Sequence, residues 1–299
     1  MHRSVSEGRK MMMKKTTVLR QLLRRDEILV VPGAYDAASA IAAAKSGFDA
    51  VYMTGSGATT SLTGLPDIGL ATMTEMVMKA TYMAEAIPVP LISDADTGYG
   101  NAVNVMRTVR EFERAGVAAI HIEDQVAPKR CGHVAGKQVI SLEEAVGKIR
   151  AAVAAKTDPD FVIIARVDSR AVLGFEDAVR RGRAYRDAGA DVIFPEALES
   201  REEFATYAKE VDAPLLANMT EYGKSPYLSA AEFQEMGYKI VIFPATSFRV
   251  AMKAVLDFYA ELRRTGTQVG YLDKMLTRQQ QYDLIDYARY SDYERQFVG

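Results

Sequence analysis

Cysteine is almost absent from this chain of 299 residues, in which Cys131 is the only one. A single thiol excludes an internal disulfide framework, so we expect a protein of the reducing cytoplasm. Long apolar runs are also absent, since none reaches the roughly 18 residues that a membrane span needs. Residues 1–14 lack the apolar segment of a signal peptide and predict a flexible arm. The sequence therefore predicts no membrane partner.

An excess of either charge is missing as well. The chain has 37 basic and 39 acidic residues, for a formal net charge of −2, and the two signs are interspersed. The chain has no basic face and no block of Lys and Arg, so the sequence predicts no nucleic-acid partner. Apolar residues are abundant, at 48% of the chain, which is enough to bury a sizeable core. Length alone is compatible with one large domain or two small ones.

Four segments of the chain repeat one pattern: a helix end, a glycine and a short apolar run. The glycines are Gly47, Gly116, Gly189 and Gly237, and each fits the position after a helix, where a positive φ favours glycine. Four more apolar runs, "EILVVPGAYD", "VPLISDADTG", "FVIIARVDS" and "APLLANMTEY", alternate with these segments, and amphipathic stretches fill the gaps. Eight apolar strands that alternate with helices predict an α/β fold, a (β/α)8 TIM barrel over residues 15–264. A doubly wound sheet is the alternative, but "PGAYDA" is not the glycine-rich turn that it favours.

The chain continues past the eighth strand with further helical stretches. "SFRVAMKAVLDFYAELRRTG" is amphipathic, and a segment rich in Tyr and Leu follows it within residues 265–299. A barrel does not need these helices, and apolar helices of this kind often cover a neighbouring subunit, which predicts an oligomer. The alternative is an extension that folds back on its own barrel.

Active sites of such barrels lie at the C-terminal ends of the strands, where this sequence is rich in acids. Asp94 and Asp96 are two residues apart at a strand end, and the strand period would point both carboxylates the same way. A site with only a few hard oxygen ligands from the protein is typical of Mg²⁺, which keeps several waters. Glu123, at the end of the next strand, could hold one of these waters. The alternative is that the two aspartates cap a helix that starts near Asn101.

Arg166 ends an otherwise apolar strand, so its buried cation needs an anionic partner. A substrate carboxylate is one candidate, and a structural ion pair with Glu196 or Asp168 is the other. Taken together, the strand ends carry many acids and one or two arginines. They predict a site for a metal and a polyanion.

The single thiol follows the fourth strand by a few residues, in "VAPKRCGHVAGK", on a loop over the predicted barrel mouth. Lys129, Arg130 and His133 would favour the thiolate of Cys131. Gly132 permits a close backbone approach. The alternative is a solvated loop with a chance cysteine, but the barrel and the acids favour a function.

"KRCGH", together with "DADTGYG", "HIEDQ" and "GLPDIG", resembles the isocitrate lyase/phosphoenolpyruvate mutase superfamily, and the similarity covers essentially the whole chain. The carbon–carbon lyases of this superfamily carry the CGH loop, whereas its mutases and oxaloacetate decarboxylases lack it. The resemblance implies a (β/α)8 barrel, a C-terminal helix swapped between paired subunits, and a homotetramer built as a dimer of dimers. It also implies Mg²⁺ as the cofactor, with Mn²⁺ as the alternative ion.

The activity that the resemblance implies is cleavage of 2-methylisocitrate, a tricarboxylate, to pyruvate and succinate in propionate catabolism. The alternatives are a lyase of 2,3-dimethylmalate or another alkylated malate, and an oxaloacetate decarboxylase or phosphonomutase. A non-catalytic protein that binds di- or tricarboxylates is disfavoured by the metal pair and the thiol together.

The resemblance assigns roles to single residues. Asp94 and Asp96 match the metal-site aspartates, Glu123 a nearby carboxylate of that site, and Asp67 another acid of it. The positions that match substrate contacts are Tyr52, Thr54, Gly55 and Ser56 for the keto-acid half, Arg166 and Glu196, and Asn218, Thr220 and Arg249 for the succinate end. Cys131, Gly132 and His133 match the catalytic loop, so Cys131 is the expected acid for the product carbanion. Tyr52 or a metal-bound water is expected to take the hydroxyl proton.

Overall fold

Parallel strands alternate with helices in the computed structural model, which describes residues 13–130, 132 and 136–298. The strands are β1 (Leu29–Ala34), β2 (Val51–Met53), β3 (Leu91–Asp94), β4 (Ala119–Glu123), β5 (Val162–Val167), β6 (Val192–Pro195), β7 (Leu216–Asn218) and β8 (Ile240–Phe243). They pair in the order β6-β5-β4-β3-β2-β1-β8-β7, and an isolated parallel bridge between Ile193 and Leu215 joins the two edges. The sheet is a nearly closed barrel, which confirms the predicted (β/α)8 fold.

Helices connect the strands and continue after the last one. They are α1 (Lys15–Leu23), α2 (Ala37–Lys45), α3 (Gly55–Thr63), α4 (Met73–Ala86), α5 (Ala102–Arg114), α6 (Leu142–Ala155), α7 (Arg170–Leu173), α8 (Phe175–Asp187), α9 (Arg201–Val211), α10 (Ala230–Glu235), α11 (Thr246–Thr265), α12 (Arg278–Leu284) and α13 (Tyr287–Val298). A 3₁₀-helix spans Val269–Lys274. The four glycines of the repeat all have positive φ, between 80° and 99°, as the helix-end pattern predicts.

Side chains alternate between the inside and the outside of the barrel along each strand. In β5, Val162 and Ile164 belong to the interior cluster, whereas Ile163 packs against the outer helices. The N-terminal end of the barrel is covered by α1, whose Leu19 and Leu22 join the interior cluster. The core therefore fills the lower part of the barrel and leaves its C-terminal end for polar groups.

The C-terminal extension lies on the outside of the barrel. No side chain is buried in α11, α12, α13 or the 3₁₀-helix between them, and Leu256, Tyr259, Leu272, Tyr290 and Phe297 are exposed. The ammonium of Lys45 in α2 donates to the backbone carbonyl of Asp283 in α12. The packing of residues 265–299 on a neighbouring subunit stays a prediction.

Two further predictions concern the ends of the chain and the membrane. Residues 1–12 of the predicted N-terminal arm lie outside the described residues. None of the helices in the described part of the chain combines the length and the apolarity that crossing a membrane requires.

Candidate active site

The inward-facing positions of the barrel become polar toward the C-terminal ends of the strands. Along β4 these positions are Ala119, His121 and Glu123, and along β5 they end in Arg166, which pairs in register with Glu123. The polar side chains gathered at this end are Tyr52, Asp94, His121, Glu123, Arg166, Glu196 and Asn218. The strand period thus brings together residues that are far apart in sequence.

The ammonium of Lys129 lies among the predicted metal-site acids. Its Nζ is 2.5 Å from Oδ1 of Asp67 and 2.9 Å from Oδ1 of Asp96, and its side chain is only 4% exposed. Burial by itself lowers the pKa of Lys129, but the adjacent carboxylates raise it well above its usual value. Burial raises the pKa of Asp96 to about 6, with Asp94 and Asp67 adding to the shift and Lys129 opposing it. Lys129 therefore neutralises an acid cluster, a role that sequence reasoning missed.

Asp94 and Asp96 approach each other through a turn rather than through the strand period. Asp94 ends β3, and its Oδ1 accepts a hydrogen bond of 2.9 Å from the backbone N–H of Asp96. Asp96 lies beyond the strand with a φ of 47°, so the period-2 argument does not apply to it. The side chain of Asn101 caps α5 by accepting from the N–H groups of Val103 and Asn104. The two aspartates are thus near each other without capping that helix.

Tyr52 has a buried partner that sequence reasoning did not assign to the site. The Tyr52 hydroxyl lies 2.7 Å from Nε2 of His121, which also lies 3.6 Å from Oδ1 of Asp94. Burial lowers the pKa of His121 to about 4, so its imidazole is neutral at pH 7. Burial, with the nearby Asp94, raises the pKa of Tyr52 well above its usual value. The sequence did contain a signal for this residue, because His121 lies two positions before Glu123 in "HIED" and therefore faces the barrel interior as Glu123 does.

Arg166 is surrounded by carboxylates. Its Nε lies 2.8 Å from Oδ2 of Asp168 and 3.4 Å from Oε2 of Glu123, and its Nη2 lies 3.4 Å from Oε2 of Glu196. Both acids that the sequence offered as ion-pair partners are therefore in place, and its contact with a substrate stays a prediction. Although burial opposes the charge, these acids raise the pKa of Arg166 well above its usual value.

One cavity collects most of the predicted substrate positions. The predicted residues that line it are Tyr52, Thr54, Gly55, Ser56, Asp67, Asp94, Gly132, Arg166, Glu196, Asn218, Thr220 and Arg249. Asp96 and Glu123 are adjacent to it through their ion pairs with Lys129 and Arg166. Cys131 and His133 lie outside the described residues. The structure thus brings together every predicted site residue that it describes.

The N-terminus of α3 faces Asp94. Thr54 is the N-cap residue, and a Cβ added to Gly55 would lie 2.1 Å from Oδ2 of Asp94. Only glycine therefore allows this close approach. The first N–H groups of a helix have no intrahelical acceptor, which makes such an end suited to an anion.

Arg249 also lines the cavity, from the first turn of α11. Its Nη1 is 2.6 Å from Oε2 of Glu221, and its side chain is 44% exposed. The resemblance assigned Arg249 to the succinate end of the substrate, and the other role open to this guanidinium is an ion pair with Glu221. That pair is present, on a residue that also lines the cavity.

Comparison with known proteins identifies the family. Residues 19–263 match the family model described as phosphoenolpyruvate phosphomutase. The crystal structure of a 2,3-dimethylmalate lyase, described as a member of the PEP mutase/isocitrate lyase superfamily, has a TM-score of 0.91 and 42% identity, covering 96% of this chain and 97% of that chain. The chain belongs to the PEP mutase/isocitrate lyase superfamily. The resemblance drawn from "KRCGH" and the accompanying motifs is confirmed.

Two similar proteins bear different names. A 2-methylisocitrate lyase of Aeropyrum pernix is 54% identical over 278 residues, 93% of this chain and 88% of that protein. A 2,3-dimethylmalate lyase of Eubacterium barkeri is 48% identical over 286 residues, 96% of this chain and 99% of that protein. The chain is thus similar to lyases of two substrates.

The oxygen donors at the barrel mouth suit the divalent cation expected of this superfamily. Among residues 13–130, 132 and 136–298, no three carboxylate, imidazole or thiol groups form a ready metal cage. Mg²⁺ does not need one, because it is usually bound through one or two carboxylates and keeps several waters. Asp94 and Asp96 supply two carboxylates, and neither oxygen of buried Glu123 has a hydrogen-bond partner in the described part of the chain. These residues fit Mg²⁺ or Mn²⁺, whose binding stays a prediction.

Proposed function

We propose that this protein is a Mg²⁺-dependent carbon–carbon lyase that cleaves 2-methylisocitrate to pyruvate and succinate. The observation that carries the proposal is one cavity lined by Arg166, by Arg249 and by Lys129, whose ammonium is paired with Asp67 and Asp96. Such an arrangement can hold a substrate with more than two carboxylates, since each buried anion needs a cation or several donors. The relative that is 54% identical and named 2-methylisocitrate lyase supports the same substrate.

Asp94 and Asp96 would hold the metal ion, with Glu123 and Asp67 bonded to its waters. When bound, Mg²⁺ polarises the hydroxyl and the neighbouring carboxylate of the substrate and stabilises the developing keto group. The acid cluster has the charge for this role, because deprotonated carboxylates are the ligands that Mg²⁺ prefers. Mn²⁺ takes the same oxygen ligands and is the alternative ion.

The pyruvate half would lie against β2 and the start of α3. The N–H groups of Gly55 and Ser56 can donate to its carboxylate, because the helix N-terminus favours an anion. Tyr52, whose pKa is raised well above its usual value by burial, stays protonated at pH 7 and acts as a hydrogen-bond donor. The Tyr52 phenolate is therefore disfavoured as the group that takes the hydroxyl proton.

The succinate half would lie toward Arg166, Glu196 and the end of β7, where Asn218, Thr220 and Arg249 can hold its carboxylates. As the carbon–carbon bond breaks, its electron pair passes to the carbon that becomes a methylene of succinate, and that carbon takes one proton. Cys131 is the proposed donor of this proton, with His133 and the neighbouring cations lowering the pKa of the thiol. The substrate hydroxyl loses a proton and becomes the keto oxygen of pyruvate, so protons balance.

A second candidate is cleavage of 2,3-dimethylmalate, which carries one carboxylate fewer. It is favoured by the 48% identity to the Eubacterium barkeri enzyme. The pairing of Arg249 with Glu221 also favours it, because a guanidinium already paired is less available to a third carboxylate. We place it second, because an alkyl group of the substrate next to Arg249 would give the guanidinium no substrate carboxylate to bind.

The deciding assay measures release of the 2-oxo acid, which is pyruvate from 2-methylisocitrate, 2,3-dimethylmalate and oxaloacetate and glyoxylate from isocitrate, each with Mg²⁺ and with EDTA. We expect Mg²⁺-dependent release, fastest with 2-methylisocitrate, and none from Asp94→Asn. Asp49→Asn, at the N-terminal end of the barrel, is the control and should behave as wild type. Full activity in EDTA would exclude the metal role, and a preference for dimethylmalate would promote the second candidate.

We further propose that the enzyme is a cytoplasmic homotetramer of propionate catabolism. The exposed apolar side chains of α11, α12 and α13 support association, because patches of this kind usually mark an interface. The single cysteine supports a reducing compartment. Light scattering during size-exclusion chromatography tests the assembly, and Leu256→Glu on α11 is expected to shift the mass toward smaller species.

A further inference from the structure

Two buried side chains hold the backbone on either side of position 131. The Gln125 side chain makes two hydrogen bonds to the backbone of Arg130: Nε2 donates to the carbonyl at 2.9 Å, and Oε1 accepts from the N–H at 2.9 Å. Lys137 donates from Nζ to the carbonyl of Gly132 at 2.7 Å. The residues before and after the single cysteine are therefore each tied to the body of the barrel.

Both side chains converge on one carboxylate. Oδ1 of Asp168 lies 2.8 Å from Nζ of Lys137 and 3.1 Å from Nε2 of Gln125, and Oδ2 accepts from Nε of Arg166 at 2.8 Å. Asp168 has no exposed surface, and its own N–H donates to Oδ1 of Asp124 at 2.8 Å. Burial opposes ionisation, but Arg166 and Lys137 outweigh it and hold the pKa of Asp168 below its usual value. The carboxylate is thus a fixed anionic anchor shared by a substrate-site arginine and two backbone tethers.

The backbone at Gly132 also touches the substrate-site arginine directly. A Cβ at this position would lie 2.4 Å from Nη2 of Arg166 and 2.6 Å from Cγ of Glu196. Gly132 therefore packs against the pair that the proposed function assigns to the substrate. The contacts thus connect these groups in a ring: Arg166 bonds Asp168, Asp168 bonds Lys137, Lys137 bonds the carbonyl of Gly132, and Gly132 packs on Arg166.

We propose that Gln125, Lys137 and Asp168 are positioning residues that fix the chain around Cys131 relative to Arg166. This proposal rests on the proposed function, because it assumes that Cys131 is the proton donor and that Arg166 holds the substrate. Burying an ammonium and a carboxylate is costly unless each has close partners, and here the partners of Lys137 are Asp168 and the backbone carbonyl next to Cys131. The three side chains act through the thiol and do not themselves exchange protons with the substrate.

The kinetic test uses the full-length, Mg²⁺-loaded enzyme with Lys137→Met and Gln125→Leu. We expect kcat to fall by about 10²-fold with KM within about threefold of wild type, because a misplacement of roughly 1 Å has a cost of this order. The matched control is Lys156→Met. Lys156 also contacts one backbone carbonyl, that of Phe161, and one aspartate, Asp191, but at the other end of the barrel. Lys137→Arg, which keeps a cationic donor, should recover much of the lost rate.

A second arm shows whether the effect passes through the thiol. In a Cys131→Ser background, Lys137→Met should lower the residual kcat by less than about threefold, since residues that act as a unit are not additive. An equal loss in both backgrounds would overturn the proposal, because Lys137 would then act independently of the thiol. So would a kcat for Lys137→Met or Gln125→Leu within about twofold of wild type.

A third arm needs no substrate and separates this inference from the proposed function. Limited trypsin digestion at Arg130, followed by mass spectrometry, reports how firmly the chain is held there. Releasing the tethers in Gln125→Leu or Lys137→Met should speed this cleavage at least about tenfold, since proteolysis needs local opening. The Lys156→Met control should cleave at the wild-type rate. An unchanged rate in both tether variants overturns the positioning role, whereas inactivity of the wild type on 2-methylisocitrate overturns only the proposed substrate.

Discussion

The hydroxyl of Tyr52 and Nε2 of His121 are 2.7 Å apart inside the barrel, where the Tyr52 side chain is nearly, and that of His121 fully, shielded from water. The two rings lie parallel, with centroids 5.8 Å apart, and Phe194 contacts the imidazole edge-on. The other ring nitrogen, Nδ1, has no hydrogen-bond partner in the described part of the chain. A buried neutral imidazole therefore lies next to Asp94, one of the predicted metal-site acids.

The first prediction concerns stability and pH. The pKa of His121 is lowered by burial from 6.5 to about 4, so between these values the unfolded chain binds a proton that the folded chain does not. The free energy of unfolding therefore loses this contribution as the pH falls from 6.5 toward 4, by about 3 kcal/mol at about 1.36 kcal/mol per pH unit. His121→Gln, which keeps a hydrogen-bonding group for Tyr52, should lack this loss.

Urea unfolding of both proteins at several pH values between 7 and 4.5 measures the difference. The comparison with wild type is needed because Asp96, whose pKa is raised by burial to about 6, contributes with the opposite sign in part of this range. The variant curve should converge on the wild-type curve as the pH falls. Parallel curves would mean that His121 is not buried in its neutral form.

The second prediction concerns the close packing of Gly132 on Arg166. Gly132→Ala would place a Cβ 2.4 Å from Nη2 of Arg166, so the guanidinium or the loop must shift. We expect kcat/KM to fall by roughly 10- to 100-fold, because small displacements of a substrate-holding group have large kinetic costs. Gly147→Ala in α6 is the control, since its Cβ meets nothing within 4 Å. Steady-state kinetics measures the activity of both variants, and thermal unfolding checks that both are folded. Equal activities of Gly132→Ala and Gly147→Ala would contradict the packing argument.

The strands and their polar ends could be predicted because the pattern that encodes them is local. Continuous apolar runs after helix-end glycines mark buried parallel strands, and Asp94 and Arg166 follow directly from their place at strand ends. The α1 helix that covers the barrel bottom was not predicted as an element. Its apolar side chains, such as Leu19, gain burial only once the barrel exists.

Long-range pairing explains what the sequence left undecided within the site. Lys129 and Lys137 both lie between β4 and α6, whereas their partners Asp67, Asp96 and Asp168 follow other strands, so no spacing along the chain indicates either pairing. Sequence reasoning placed Asp96 near Asp94 by the alternation of side chains along a strand. This reason was wrong, because Asp96 has a positive φ and lies beyond the end of the strand. Residue types at strand ends predict which groups gather, whereas their partners depend on three-dimensional packing.

The third prediction concerns the thiol. Cys131→Ser should fold and keep its metal affinity but lose about 10²- to 10⁴-fold in kcat, the usual worth of a general acid. A serine hydroxyl is far less acidic than a thiol between cations, so proton delivery to the carbanion fails. Turnover and isothermal titration with Mg²⁺ test the two halves of this prediction. Near wild-type kcat on the preferred substrate would rule out the acid role.

The last prediction concerns the choice between a tricarboxylate and an alkylated malate. Arg249 and Thr220 line the cavity wall at the proposed succinate end, and a third carboxylate there would need the guanidinium, since burying it unpaired is costly. We expect wild type to prefer 2-methylisocitrate over 2,3-dimethylmalate, and Arg249→Met to lower that preference by roughly 10- to 100-fold, the worth of a hydrogen bond to a charged group. Lys253→Met is the matched control, because Lys253 is one turn further along α11 and pairs with Asp257.

Glu221 competes for the same guanidinium, with Oε2 at 2.6 Å from Nη1 of Arg249. Glu221→Gln removes the competing charge but keeps the shape, so it should lower KM for 2-methylisocitrate and leave that for 2,3-dimethylmalate unchanged. The measurement is kcat/KM and KM for both substrates in wild type and in the three variants. A ratio of kcat/KM values that Arg249→Met leaves unchanged would assign Arg249 to its pair with Glu221 alone, and the site would then be one for a dicarboxylate.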